Sequence, residues 1–169
     1  MDLTALFSLS YGLYIAASKD GGRDVGCVVN SAFQVTSSPP TLALSINKEN
    51  YTTGCILSHG SYTLSVLSEN ADKKLIGAFG FFSSRDRDKF ASSPRKYTAS
   101  GLAYIADGAA AYLECKVIQH LDFYTHTLIL SEIIGGEKLS DDPPMTYDYY
   151  HKVIKGKAPK NAPTYVKIE

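Results

Sequence analysis

The chain has 169 residues, of which 44% are hydrophobic, enough apolar surface for a single domain with its own core over residues 1–169. Its 17 basic and 17 acidic side chains cancel, so the sequence offers no strong electrostatic surface for nucleic acid or an anionic membrane. No apolar run reaches the roughly 18 residues that a membrane-spanning helix needs.

The three cysteines, Cys27, Cys55 and Cys115, lie far apart in the sequence and form no CxxC pair. Structural zinc sites and rubredoxin-type iron sites both need paired thiolates, so the sequence predicts no metal site. We expect buried free thiols, which are typical of proteins in a reducing cytoplasm.

The first elements of the chain are predicted to form a β-hairpin. Residues 3–18 are apolar enough to resemble a signal peptide, but they lack a basic start and are interrupted by serines and a glycine. Residues 8–18 alternate between apolar and small or polar side chains, which is typical of a strand. Gly21 and Gly22 mark a turn, after which residues 25–35 are predicted to form the second strand.

Two prolines divide the next stretch into two strands. Pro39 and Pro40 lack the amide N–H that a sheet requires, so the strand before them is expected to end at Thr36. Residues 41–46 alternate with a period of two and predict another strand.

A short helix after this strand offers a candidate phosphate pocket. Asn50 is a suitable N-cap for a helix that ends near residue 58. The N–H groups at a helix start have no intrahelical acceptor, and Lys48, Thr52 and Thr53 surround them here.

The rest of the chain is predicted to complete an antiparallel barrel. The predicted elements are a strand over residues 62–67, a helix over 73–79, a charged loop over 83–89, an irregular covering loop over 90–105, and two strands over 109–118 and 127–134 joined by 120–124. The tail from residue 143 is rich in tyrosine and proline, so we expect it to lie on another surface.

Several short segments follow one another along the chain in a specific order and spacing: Asn30-Ser31, Gln34-Val35-Thr36-Ser37, Pro39-Pro40, Ser45-Ile46-Asn47-Lys48, Asn50-Tyr51-Thr52, Phe79-Gly80, Ser83-Ser84-Arg85-Asp86, Asp88-Lys89-Phe90 and Thr125-His126-Thr127. In this order they resemble the flavin reductase family, and within it flavoredoxins and the flavin domains of high-molecular-weight rubredoxins. The resemblance implies a mainly β, FMN-binding split barrel with a few short flanking helices. It also implies an extended C-terminal tail that packs around a dimer and near the flavin.

An FMN site needs donors for the phosphate, polar atoms for the ribityl chain and ring edge, and a flat apolar slot for the isoalloxazine. The resemblance assigns these roles to Asn30, Ser31, Gln34, Val35, Thr36, Ser37, Ser45, Asn47, Lys48, Tyr51, Thr52, Ser83, Arg85 and Lys89.

Within this set, the phosphate and the ring have different candidates. Lys48, Thr52, Arg85 and Lys89 combine point charges, a hydroxyl and a guanidinium fork for the phosphate. The alternative is that the two basic residues of the charged loop belong to a solvated face. At the ring, the N–H groups of the strand end near Thr36 are expected to lack ladder partners. Their alternative is an ordinary turn satisfied by its own serines and threonines.

His126 is the candidate catalytic residue. The resemblance places it beside the flavin or the nicotinamide pocket, where we assign it a positioning role. A packing or hydrogen-bonding role explains a lone histidine at a strand start equally well. The other histidines, His59, His120 and His151, have no spacing that suggests a metal site.

The resemblance implies a homodimeric, cytoplasmic FMN oxidoreductase. NAD(P)H is expected to reduce the bound flavin by hydride transfer to N5, and the flavin to pass electrons to free flavin or to a protein acceptor such as rubredoxin. Because the chain has no GxGxxG motif, the nicotinamide nucleotide has to bind by stacking on the flavin itself. Two alternatives stay open: a flavoredoxin-like electron carrier reduced by a protein partner, and a flavin-binding module without turnover.

Overall fold

The computed structural model describes residues 2–165 of the chain. After a short 3-10 helix, Leu3–Ser8, the elements are β1 Tyr14–Asp20, β2 Arg23–Val29, β3 Ser31–Ser37, β4 Pro40–Asn47, α1 Tyr51–His59, β5 Ser61–Leu67, α2 Lys73–Phe81, β6 Lys96–Tyr97, β7 Ala103–Tyr104, β8 Ala109–Phe123, β9 His126–Lys138 and α3 Tyr147–Lys152.

Seven strands form one antiparallel sheet in the order β2-β1-β5-β8-β9-β4-β3. The two edge strands, β2 and β3, are separated in the chain by Asn30 alone, so the sheet has to curve back on itself until its edges meet at that residue. Because β2 and β3 are not paired to each other, the barrel stays open along this line. The predicted split barrel is confirmed.

The core has one part inside the barrel and one beneath α2. Inside, Leu44, Tyr62 and Ile129 are among the fully buried side chains that the inward faces of β4, β5 and β9 contribute. Beneath α2, Phe79 packs edge-to-face on Phe90 with ring centroids 4.9 Å apart. Each side chain of this size contributes roughly 1.5–3 kcal/mol through burial.

Helices α1 and α2 begin at the predicted residues, and their N-termini are capped in different ways. Asn50 precedes α1 with an extended backbone, but its side chain makes no capping hydrogen bond. Gly60 ends α1 in the left-handed region at φ 78°, which glycine adopts without a steric penalty. Asp72 caps α2 by accepting from the Lys74 amide.

Two strand predictions near the N-terminus were wrong in their boundaries. The first strand begins at Tyr14 rather than at residue 8, because the preceding segment pairs with the tail: the Leu13 amide donates to the Met145 carbonyl at 3.0 Å, and Tyr147 donates to Tyr11 at 2.8 Å. The predicted strand over residues 25–35 is two strands, because the chain changes sheet edge at Asn30. Beyond that point Phe33 is 62% exposed rather than half-buried.

Two connections also differ from prediction. The expected covering loop over residues 90–105 contains the small β6–β7 hairpin, and its Leu102 and Ile105 are buried in the core. Most of the expected connection over residues 120–124 is strand: β8 continues to Phe123, and the long β8–β9 hairpin turns at Tyr124, whose φ is 45°. The polar residues of this segment are part of the strands because they continue the β8–β9 ladder up to the turn.

The cysteines are buried and unpaired, as expected. Within residues 2–165, no group of His, Cys, Asp or Glu side chains is arranged to hold a metal ion. Over the same residues, no helix has both the length and the apolar character needed to cross a bilayer.

Candidate functional site

A cavity of about 550 Å³ lies where β2, the end of β4, the start of α1, the end of α2 and the tail meet. Its size falls within the range of small-molecule and cofactor sites. The predicted site residues that line it are Asn30, Ser45, Asn47, Tyr51, Thr52, Ser83 and Lys89. They are far apart in sequence, and the closure of the barrel at Asn30 brings them together.

The start of α1 forms one wall of the cavity. Asn50, Tyr51 and Thr52 all line it, and Thr52 is buried. The first-turn N–H groups of a helix have no intrahelical acceptor and carry partial positive charge, which suits an anionic group. Glu49 is the acidic side chain on this part of the wall. The residues of the predicted phosphate pocket therefore lie on this part of the wall, and their role toward a phosphate stays a prediction.

Lys89 lines the cavity but is already engaged. Its Nζ donates to the carbonyl oxygens of Gly26 at 2.8 Å and Phe79 at 3.1 Å. Burial lowers the pKa of this ammonium, and the nearby Cys27 thiol partly opposes the shift. Lys89 thus joins β2 to the end of α2, and one N–H direction is left for a ligand.

The charged loop after α2 is also held against β2 by Ser84. Ser84 is buried, and its hydroxyl bonds to the backbone N and O of Gly26 at 3.1 and 2.9 Å. Next to it, Arg85 is exposed and does not line the cavity; its guanidinium lies 5.3 Å from the ring centroid of Tyr51. Tyr51 in turn donates to Asp20 Oδ2 at 2.7 Å. Arg85 is therefore at the rim, one side chain away from the cavity.

Another part of the cavity wall is polar: Asn30 and Tyr147 line it, and Ser31 and Thr164 are hydrogen-bonded to Asn30 without lining the cavity. Asn30 is 3% exposed, and its Nδ2 donates to Thr164 Oγ1 at 2.7 Å. Ser31 donates to Asn30 Oδ1 at 3.2 Å. The hydroxyl of Tyr147 is buried and has no hydrogen-bond partner among the residues described. Burial raises the pKa of Tyr147, while the neighbouring Thr164 and Asn30 side chains oppose the rise.

The remaining cavity wall is largely apolar. Its apolar side chains include Val28, Val29, Ile46, Phe79, Phe81 and Phe82. Phe81 and Phe82 stay about half exposed at the end of α2, so an apolar ring entering the cavity gains contacts that solvent now occupies. Sequence reasoning missed this wall; the Phe-Gly-Phe-Phe run at the end of a predicted helix was the available signal.

Seven of the other predicted site residues lie outside the cavity wall: Ser31, Gln34, Val35, Thr36, Ser37, Lys48 and Arg85. The β3 residues among them sit on an exposed sheet edge. The Thr36 amide was expected to be free, and this was wrong, because it donates to Thr41 Oγ1 at 3.1 Å. Lys48 Nζ instead pairs with Asp122 Oδ2 at 3.2 Å.

His126 also lies outside the cavity wall, but the register of the sheet places it beside a residue that lines the cavity. It pairs with Asn47, a lining residue, across β4 and β9. Its Nδ1 is 2.9 Å from Thr125 Oγ1, and its Nε2 is buried without a hydrogen bond to any residue in the range 2–165. Burial lowers the pKa of His126, and the nearby Asn161 backbone partly opposes the shift. His126 therefore lies on the strand next to β4, and its positioning role stays a prediction.

The tail supplies the remaining wall. Residues 157–163 line the cavity together with Tyr147 and Tyr150 of α3. The tail thus packs on the cavity of its own chain, and its expected packing around a dimer stays a prediction. Its tyrosine and proline content predicted that the tail packs on a surface, and the fold determines that this surface is the cavity.

Comparison with known proteins shows to which family the chain belongs. Residues 6–156 match the family of flavin reductase like domains. High molecular weight rubredoxin from Moorella thermoacetica is 46% identical over 165 residues, which span 98% of this chain and 72% of that protein. Ferric-chelate reductase (NAD(P)H) from Archaeoglobus fulgidus is 38% identical over 165 residues, 98% of either chain. The solved NADH:FAD oxidoreductase from Streptomyces globisporus shares the fold, with a TM-score of 0.77 and 23% identity over 85% of both chains. The chain belongs to the flavin reductase family.

Proposed function

We propose that this protein is an FMN-binding oxidoreductase that uses NAD(P)H as electron donor and passes electrons to free flavin or to a protein acceptor. The observation that carries the proposal is the cavity itself, which joins the start of α1 to an apolar wall and a buried polar part. FMN supplies the hydride-accepting N5 when it is bound. The names of the two relatives, a ferric-chelate reductase (NAD(P)H) and a high molecular weight rubredoxin, support redox chemistry.

The residues present fit FMN at three points. The start of α1, with Thr52, suits the phosphate dianion. The unpartnered Tyr147 hydroxyl and the Asn30 amide suit the polar edge of a flavin ring. The phenylalanines at the end of α2 suit its flat apolar face. Arg85 stays a candidate for the phosphate, since it stands at the rim over the ring of Tyr51.

The direct test is spectroscopic. The purified protein, loaded with FMN, is mixed anaerobically with NADH and separately with NADPH while the visible flavin absorption is recorded. Loss of the yellow colour within seconds with either nucleotide supports the reductase. A protein that does not retain or bind FMN contradicts the proposal at its first step.

We further propose a homodimer that forms through an apolar outer patch of the barrel. The patch consists of the outward-facing side chains Phe33, Leu121, Phe123, Leu128 and Leu130. Register places Phe33, Ala43 and Leu130 in one row across β3, β4 and β9. A second row runs through Ser31, Ser45, Leu128 and Leu121, and Ser45 also lines the cavity. A second subunit bound to this patch would border the cavity. The exposed β3 residues of that interface would then lie close to a cofactor bound there.

An electron carrier that takes electrons from a protein partner is the second candidate. It is favoured by the relative named high molecular weight rubredoxin, which is longer than this chain and shares 46% identity with it. Bleaching by reduced rubredoxin or ferredoxin, with no bleaching by NADH or NADPH, distinguishes this function from the reductase. The three buried free thiols support a reducing, cytoplasmic location for either function.

A further inference from the structure

The segment from residue 157 to residue 164 is a strap that is anchored at both ends. At its start, the Gly156 amide donates to the Tyr150 carbonyl at 2.9 Å, and His151 Nδ1 lies 2.9 Å from the Gly156 carbonyl. At its end, Thr164 accepts from the Asn30 amide at 2.7 Å. Two prolines between the anchors limit the backbone freedom of the segment. The strap is therefore a defined wall of the cavity.

The strap carries two lysines whose ammonium groups form no ion pair with the residues that the structure describes. Lys157 and Lys160 both line the cavity. Within residues 2–165, neither ammonium pairs with a carboxylate; the recorded ion pairs involve other lysines and arginines. Glu49 is the acidic side chain on the described cavity wall, and Lys89 is held by two backbone carbonyls. The cavity therefore has an excess of uncommitted positive charge on its tail side.

We propose that the strap binds the phosphate groups of a nucleotide in the cavity through Lys157 and Lys160. This proposal rests on the proposed function and deepens it. A phosphate in reach of two ammonium groups gains charge-assisted hydrogen bonds, and because both lysines are exposed, added salt weakens these contacts. The same chemistry is offered by the phosphate of FMN and by the pyrophosphate of a dihydronicotinamide dinucleotide.

The test compares matched lysine variants in the full-length chain. The double variant Lys157→Ala/Lys160→Ala removes both charges, and Lys157→Arg/Lys160→Arg keeps them. Lys155→Ala, at a neighbouring exposed position outside the cavity wall, controls for net charge. One arm measures the affinity of flavin-free protein for FMN and for riboflavin. The other measures NAD⁺ and NADP⁺ binding to the FMN-loaded oxidised protein by calorimetry. Both arms are run at low and high salt.

The double alanine variant is expected to lose about tenfold or more in affinity in one arm, because each charge-assisted contact is substantial. A loss for FMN but not riboflavin assigns the strap to the flavin phosphate; a loss for the dinucleotides with FMN unaffected assigns it to the pyrophosphate. The arginine variant and Lys155→Ala should stay within about twofold of wild type. The salt dependence of binding should also fall in the alanine variant.

Two results would contradict the proposed phosphate-binding role of the strap. Binding by the double alanine variant within about twofold of wild type in both arms removes the lysines from the site. An equal loss in Lys155→Ala assigns the effect to net charge. In both cases wild type still binds FMN and is bleached by NAD(P)H, so the proposed function stands. Wild-type protein that binds neither ligand overturns the proposed function, and the strap with it.

Discussion

At the scale of single residues, two cations of the same predicted phosphate set have different environments. Lys89 is buried and donates to two backbone carbonyls, whereas Arg85 is exposed at the rim. The sequence places both in one charged loop and does not distinguish them. Their burial predicts different consequences of mutation.

Lys89→Met is expected to lower the free energy of unfolding by about 1–3 kcal/mol, since the Phe79 carbonyl loses its donor and the Gly26 carbonyl keeps only that of Ser84. Arg85→Ala is the matched control at an exposed position, where we expect little change in stability and weaker binding of FMN relative to riboflavin. Denaturant unfolding of both variants, with flavin titrations, measures the difference. Unchanged stability in Lys89→Met would show that its two hydrogen bonds contribute nothing net.

Asn30 is predicted to tune the flavin. Replacing Asn30 by Leu removes a donor for the ring edge, and a hydrogen bond that favours the reduced form by roughly 1.4 kcal/mol corresponds to about 30 mV in a two-electron potential. The potential is therefore expected to fall. Anaerobic titration against a dye of known potential measures it.

Thr164→Val is the control for this experiment, because it breaks the tail contact of Asn30 and keeps the amide. The same potential shift in Thr164→Val would mean that the tail, and not Asn30, acts on the ring. A lower melting temperature of Asn30→Leu with an unaltered potential would indicate that Asn30 only satisfies the turn between β2 and β3.

At the scale of elements, the tail determines the environment of a histidine on β9. The pKa of His126 lies below its ordinary value of 6.5, mainly because of burial, and the Asn161 backbone opposes the shift. A histidine with a lowered folded pKa binds its proton more tightly in the unfolded chain. Stability is therefore lost as the pH falls through 6.5 toward the folded pKa, and the penalty is absent above that window.

Ending the chain before Lys157 is expected to raise the pKa of His126 toward 6.5. The loss of burial, which is the larger cause, outweighs the loss of the Asn161 contact. Proton NMR titration of the imidazole in both proteins gives the two values, and thermal melts between about pH 5 and 8 should show a weaker acid dependence in the shortened chain. An unchanged or lower pKa would place the burial of His126 elsewhere.

At the scale of the whole molecule, the outer patch is predicted to hold two copies together. Leu121→Glu places a charge in the patch, and desolvating it on association is costly. We expect this variant to be monomeric and to retain less FMN. Sedimentation velocity and the ratio of flavin to protein absorbance are measured on one preparation. Leu9→Glu, at an exposed apolar residue outside the patch, is the control and should behave as wild type. A Leu121→Glu protein with wild-type sedimentation would exclude the patch as the interface.

The sequence by itself determined the family and the β architecture, and it predicted a set of site residues of which half line the cavity. Alternation gave the strands around residues 41–46 and 62–67, and Asn50 gave the start of α1, because strand periodicity and helix capping are local properties. Ordered motifs identified Asn30, Ser45, Asn47, Tyr51, Thr52, Ser83 and Lys89, all of which line the cavity.

Only the tertiary structure decided what depends on closure of the barrel. Asn30 divides one apparent strand into two because the sheet edges meet there, and neither alternation nor composition encodes that change of partner. The Thr36 amide donates to Thr41 Oγ1, and Lys48 forms an ion pair with Asp122, which lies on a strand more than seventy residues away. The tail reaches the cavity for the same reason: Met145 is buried between Leu13 and Leu67, and these long-range contacts decide where Lys157 and Lys160 lie.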